Sequence, residues 1–112
     1  MTEHQTIKIT TRTRIAYACT SDAEQTPQGL RVKEPDVPWG QVCANRLGAA
    51  VADARRACGG GPGGCDTRVA LWVRGMRVVA PRAVLDWAHG GLGAGESIEV
   101  RGRVAAGEKS ET

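Results

Sequence analysis

Three segments of the chain alternate between apolar and polar residues, a spacing that predicts strands with one buried face. The first is residues 6–18, where isoleucines are interleaved with Lys, Arg and Thr, and the last is residues 96–104. Between them, residues 66–74 alternate most regularly, and a tight turn at 75–76 leads into a short return strand over 77–79. The pattern therefore predicts four strands, of which the middle two form a hairpin.

Two further segments show helical spacing of apolar and small residues. In residues 38–58 these residues recur every three or four positions, with Pro38 suited to the first turn and Gly59 ending the helix. Residues 81–89 predict a second, shorter helix, which also begins with a proline and stops before a glycine pair.

The resulting order is strand, helix, strand, strand, helix, strand. This order predicts an α+β fold, an open-faced βαββαβ sandwich in which the helices cover one face of an antiparallel sheet. The length of 112 residues predicts a single domain over 1–112. Within it, a polar, proline-rich stretch at about 19–37 predicts a long inserted loop, and residues at about 105–112 predict a flexible tail.

Composition narrows the functional classes. The chain has fifteen basic and twelve acidic residues, which gives a net charge of +3, and twelve of the basic residues are Arg. Because this net charge is small, the distribution of charge matters more than its sum. No apolar run approaches the length of a membrane span, and the N-terminus lacks the apolar core of a secretory signal, so we expect a cytoplasmic protein without membrane partners. With two His and no paired C-x-x-C spacing, neither a metal site nor a cofactor is predicted.

Two stretches carry a family resemblance. The run WVRGMRVVAPRAVL at 72–85, followed by GLGAGESIEV at 91–100, resembles the second half of the HPr phosphocarriers. In that family a strand, a tight turn, a short helix and a glycine-rich turn lead into the last strand. The resemblance implies an HPr-like sandwich with a role in or near the phosphotransferase system.

The residues that would carry phosphate in that family are missing. Neither 47–50 (LGAA) nor 13–16 (TRIA) offers a histidine at the acceptor position, and Arg82 stands near the family's regulatory serine. The resemblance therefore implies a degenerate member that is not an enzyme, a regulatory module that binds a protein partner. Its docking surface would comprise Trp39, Arg46, Arg55, Arg56, Arg82 and Trp87.

A different surface supports an alternative function. The predicted strands direct one set of residues away from the helices, namely Arg12, Arg14, Arg68, Trp72, Arg74, Arg101 and Arg103, together with Lys8 and Glu99. Such a face would suit a small inhibitor or adaptor that binds an acidic protein or a nucleic-acid-containing assembly. An ordinary solvated sheet face in an Arg-rich protein gives the same pattern.

Two smaller features stay open. Cys58 and Cys65 flank a six-residue glycine-rich spacer, and they would form either a redox latch or two ordinary thiols in a reducing compartment. His89 ends the second predicted helix, where a cation interacts favourably with the helix dipole.

Overall fold

A computed structural model of the chain describes residues 4–20, 23–32, 35–58 and 68–104. Within these residues the elements are β1 (His4–Thr10), β2 (Arg14–Thr20), β3 (Ala23–Thr26), β4 (Gly29–Val32), β5 (Gly40–Cys43), α1 (Leu47–Ala57), β6 (Arg68–Val73), β7 (Met76–Val78), α2 (Pro81–His89) and β8 (Ser97–Arg103). A 3-10 turn over Ala44–Arg46 connects β5 to α1.

Six of these strands form one antiparallel sheet in the order β1-β8-β7-β6-β2-β5, and β3 pairs with β4 in a separate hairpin. The sheet curls into a half-barrel with the two helices packed against it. The prediction of an open-faced βαββαβ sandwich of the HPr type is therefore wrong. The described chain contains more strands than predicted, and six of them form one curled sheet.

The connection between β1 and β2 requires the sheet to curl. These strands are consecutive in sequence but lie four steps apart in the sheet, a separation of about 19 Å if the sheet were flat. The link from Thr10 to Arg14 reaches at most about 14 Å when fully extended. A hydrogen bond from the Thr13 N–H to the Thr10 carbonyl, 3.1 Å long, shortens it further. The sheet must bend until β1 and β2 approach each other at this corner.

Threonine hydroxyls explain why the single strand predicted over 6–18 is two strands. The Thr10 N–H donates to the Thr13 Oγ1 at 2.8 Å, and the two hydroxyl oxygens lie 3.2 Å apart. Such side-chain bonds offer the backbone an alternative to continuing the strand. The alternation of isoleucines persists through the corner, so the sequence pattern does not show it.

The first helix is shorter than predicted. Of residues 38–43, predicted to begin that helix, Gly40–Cys43 instead form β5, because the open edge of β2 supplies partners for their backbone. The Trp39 N–H donates to the Tyr17 carbonyl at 2.8 Å, and the Tyr17 ring covers Gly40 on the opposite strand. Pairing with the sheet thus outweighs the helical spacing of the side chains.

The segment predicted as a loop at about 19–37 is more regular than expected. Its first two residues extend β2, and the β3–β4 hairpin follows. The predicted tail at 105–112 lies outside the described residues. The helix predicted over 81–89 is confirmed as α2. Neither helix in the described part of the chain is long and apolar enough to cross a membrane.

The core lies between the sheet and the two helices. It is built from Ile, Leu and Val rather than aromatic residues, and its fully buried side chains include Ile7, Ile15, Leu47, Leu71 and Val84. Burial of such side chains contributes about 1.5–3 kcal/mol each relative to exposure. The two faces of the sheet are therefore distinct, one apolar under the helices and the other free of them.

Gly102 in β8 is required by close packing. A Cβ at this position would collide with the Ile7 Cδ1, lie 3.0 Å from the Ile7 Cγ1, and lie 3.3 Å from the Met76 Cβ. Ile7 is buried and has little room to move. We expect Gly102→Ala to lower the free energy of unfolding by about 1–3 kcal/mol, the usual cost of overpacking, measured by urea denaturation.

Two variants control this prediction. Gly93→Ala adds the same methyl group where the nearest atom is 3.8 Å away, and it should stay within about 0.5 kcal/mol of wild type. Ile7→Val removes the colliding Cδ1, so it should cost less in the Gly102→Ala background than in wild type. Equal cost in both backgrounds would contradict the packing argument.

Candidate functional site

The helix-free face of the sheet collects basic residues. Because Val69, Leu71 and Val73 point into the core, Arg68 and Trp72 lie on the opposite face, and the pairing registers place their neighbours there too. We call this surface the basic face and define it by its described residues Lys8, Arg14, Arg68, Trp72, Arg77, Glu99, Arg101 and Arg103. It carries six Lys or Arg side chains and one carboxylate.

A row of two arginines and one aromatic crosses three adjacent strands of this face, β8, β7 and β6, with His4 beside it on β1. His4 lies opposite Arg103, Arg103 opposite Arg77, and Arg77 opposite Trp72. Neighbouring strands are about 4.8 Å apart, so these side chains are within reach of one another. The guanidinium carbon of Arg77 lies 5.1 Å from the centre of the Trp72 ring, a cation–π contact.

The basic face is exposed on both sides of Trp72. Arg101 and Arg103 on β8 are exposed, as are Arg14 and Arg68, whereas Trp72 and Arg77 are half-buried. The opposed residues Ala18 and Ala70, next to Trp72, are buried. The accessible cations therefore lie on either side of a half-buried centre.

A cleft opens where β7 separates from β6. The two strands pair only at Trp72–Arg77 and Val73–Met76, after which the chain follows β8, with the Val79 N–H donating to the Arg101 carbonyl at 2.9 Å. The cavity left between them has a volume of about 310 Å³. Three guanidinium-bearing residues line it, Arg68, Arg77 and Arg103, together with Val69, Val78, Val79 and Pro81.

The structure brings most of the predicted sheet-face set together. Arg14, Arg68, Trp72, Arg101 and Arg103 belong to the basic face. Two others lie at its margins: Arg12 is exposed in the β1–β2 connection, and Arg74 is exposed in the β6–β7 turn.

Arg77 is absent from the predicted set, and the predicted turn was one residue out of place, so that Arg77 lies opposite Trp72 rather than opposite Arg74. The turn residues are Arg74 and Gly75, with φ of 54° and 80°, as in the two-residue turns favoured in hairpins. We predicted the turn at Gly75-Met76. Moving a two-residue turn by one position changes which residues oppose each other but leaves Arg77 on the same face of the sheet. The Arg74-Gly75 pair between two strand-like segments was the feature of the sequence that could have indicated the correct position of the turn.

The predicted docking set is not brought together as one exposed surface. Trp39 is 53% exposed in the segment before β5, but Trp87 packs against the core. On α1, Arg55 is half-buried and Arg56 forms an ion pair with Asp53.

Arg46 and Arg82 complete that set. Arg46 is exposed at the start of α1, whereas Arg82 is exposed in the first turn of α2, where its Nε lies 3.9 Å from the Asp86 carboxylate. His89 contacts α1: a Cβ on Gly48 would lie 3.3 Å from its ring.

The latch considered between Cys58 and Cys65 stays a prediction. Cys65 lies outside the described residues, whereas the Cys58 Sγ donates a hydrogen bond to the Cys19 carbonyl oxygen at 3.6 Å. Burial raises the pKa of the Cys19 thiol; nearby Cys58 adds to this, and Arg55 opposes it. Among the described residues, no three His, Cys, Asp or Glu side chains are grouped to hold a metal ion.

Comparison of the chain with known proteins finds no similar protein. No family model matches the chain, and searches of curated proteins and of solved structures return no significant match. The resemblance to the HPr family stays a prediction.

The raised pKa of Cys19 has a consequence for stability. The folded protein holds this proton more tightly than the unfolded chain, so the stabilisation is present below the unfolded pKa, near 9.0, and is lost as pH rises above it. We expect the urea midpoint to fall less between pH 8 and pH 10 in Cys19→Ala than in wild type. All other ionisable groups are the same in both proteins, so the difference between their two pH profiles of the urea midpoint reports on Cys19 alone. Parallel pH profiles would contradict the assignment.

Proposed function

We propose that this protein is a non-enzymatic, cytoplasmic module that binds single-stranded nucleic acid through its basic face. The observation that carries the proposal is the cross-strand row of Arg103, Arg77 and Trp72, which combines phosphate-binding groups with an aromatic surface. Cys19 and Cys43 are free thiols, which fits a reducing compartment.

Charge supports an anionic partner. Arg77 and Arg103 lie directly opposite each other on neighbouring strands, and like charges in this position destabilise a sheet. A phosphate bridging the two guanidinium groups would turn that repulsion into attraction, because each group presents several N–H donors in a planar fork. The arrangement thus suits a bound polyanion.

Trp72 favours nucleic acid over an acidic protein. Nucleic-acid-binding sheets combine a basic track with aromatic rings or Arg planes on which bases stack. The half-buried Trp72 ring with the Arg77 guanidinium over it provides such a planar platform in the middle of the sheet. An acidic peptide would use the cations but would gain little from the ring.

The HPr-like alternative is less well supported by the geometry. Its docking set includes one core side chain, Trp87, and an Arg56 that is paired with Asp53. Its expected sandwich is contradicted by the strand order. The same residues therefore serve better as controls for the basic face.

A salt titration tests the proposal. We expect a fluorescent 20-nucleotide oligo(dT) to bind with log K falling linearly with log salt, with a slope of about −0.7 for each phosphate neutralised. Arg101→Gln/Arg103→Gln should flatten the slope by about 1.4 and weaken binding at least about tenfold. Fluorescence anisotropy at four salt concentrations measures both quantities.

Arg56→Gln/Arg82→Gln is the matched control. It removes the same net charge from the helices, and it should change affinity less than about twofold because screening weakens distant charges. An equal loss in both double variants would mean that only net charge matters, and would refute a defined basic face.

Trp72→Leu separates the two kinds of partner. It keeps an apolar side chain but removes the stacking ring, and we expect about a tenfold loss for oligo(dT), in the range measured for single stacked bases. Poly-glutamate of equal length should bind more weakly than oligo(dT). If poly-glutamate bound with the same affinity as oligo(dT), and if Trp72→Leu left that affinity unchanged, the partner would instead be an acidic protein.

A further inference from the structure

The outer edge of β1 is the longer of the two open edges of the six-stranded sheet. Among the described strands β1 pairs only with β8, and its seven residues keep one register throughout. β5, at the opposite edge, has only four residues and begins shortly after Pro38. Natural sheets protect their edges with short strands, prolines and bulges, because an open edge is a template for another strand. β1 has none of these three features.

The backbone groups of Thr6 face this open edge. The Arg101 carbonyl accepts the Val79 N–H at 2.9 Å, so the backbone groups of Arg101 point towards β7 and away from β1. Thr6 lies opposite Arg101 and therefore points its own N–H and carbonyl away from β8. Every second residue of a strand points the same way, so His4 and Lys8 do likewise. In the part of the chain that the structure describes, no strand pairs with this side of β1.

The open part of this edge ends before Thr10. The Thr10 N–H donates to the Thr13 Oγ1 at 2.8 Å, and the Thr10 carbonyl accepts the Thr13 N–H at 3.1 Å. Both backbone groups of Thr10 are thus already bonded. The described residues available to a further strand run from His4 to Lys8, with Thr6 at their midpoint.

We propose that β1 pairs antiparallel with β1 of a second copy of this chain, about a twofold axis at Thr6. The axis places Thr6 opposite Thr6 of the second copy and Lys8 opposite His4, and every outward backbone group of this segment then has a partner. Threonines directly opposite each other are a favourable pair in a sheet. A second copy covers both β1 edges at once, whereas a strand of another protein would itself end the sheet with an unpaired edge.

Charge favours this register over its neighbour. Lys8 lies opposite Glu99 on β8, which offsets the lysine charge within one copy. An axis at Lys8 would oppose two lysines and would require the bonded groups of Thr10. Because an axis at Thr6 is perpendicular to the sheet, the helix-free faces of both copies lie on the same side. The dimer itself does not rest on the proposed function.

Sedimentation equilibrium without nucleic acid tests the dimer. A strand pair of this length makes a small interface, so we expect a Kd of about 1–100 μM. The amides of Thr6 and Lys8 should exchange hydrogen more slowly as the protein concentration rises through this range, whereas those of β5 should not change. A monomer at about 1 mM protein would overturn the proposal.

Charge variants at Thr6 test the axis. Thr6 is exposed, so Thr6→Lys and Thr6→Glu should fold, and each opposes two like charges in its own dimer. Each should weaken self-association about fivefold. In an equal mixture of the two variants a lysine opposes a glutamate, and a mixed dimer should form with about the wild-type affinity.

Gln41→Lys is the matched control. It adds the same charge to an exposed position of β5, and it should change the Kd less than about twofold. A loss equal to that of Thr6→Lys would overturn the β1 edge as the interface. A mixture of Thr6→Lys and Thr6→Glu that associates no more tightly than either variant alone would overturn the axis at Thr6.

Oligo(dT) binding separates this inference from the proposed function. A monomer that still binds oligo(dT) would overturn the dimer and leave the basic face standing. A dimer that meets the tests above without binding oligo(dT) would support this inference and refute the proposed function.

Discussion

The short connection between β1 and β2 is the constraint on which the rest of the fold depends. It joins strands that lie four steps apart in the sheet, so the sheet cannot be flat. The same corner positions the first helix, because the N–H groups of Ala44 and Asn45 donate to the Thr13 and Thr11 carbonyls at 2.8 and 3.1 Å. One turn therefore fixes both the curvature of the sheet and the place where the chain enters α1.

Curvature and strand length together produce the candidate site. β7 has only three residues, and it leaves β6 to continue beside β8 before the chain turns into α2. That departure opens the cleft and brings Arg68, Arg77 and Arg103 to its border.

The HPr resemblance shows how local similarity can coexist with a different topology. It covers β6, β7, α2 and β8, and each of these elements lies close to where the pattern predicts it. The similarity did not extend to strand order, because neighbours in a sheet are chosen by long-range backbone pairing and by the shape of the whole core. Residues 40–43 illustrate this: their helical spacing is real, yet the open edge of β2 makes them a strand.

What the sequence alone determined were the elements with a clear period and clear boundaries. Proline followed by apolar spacing and a glycine pair specified α2, and strict alternation specified β6 and β8, because these signals act within a few residues. Tertiary structure decided the corner at Thr10–Thr13 and the exact register of the β6–β7 hairpin, which places Arg77 opposite Trp72. The physical reason is that backbone groups take whichever hydrogen-bond partners the fold brings near, and that pairing decides which side chains become neighbours across the sheet.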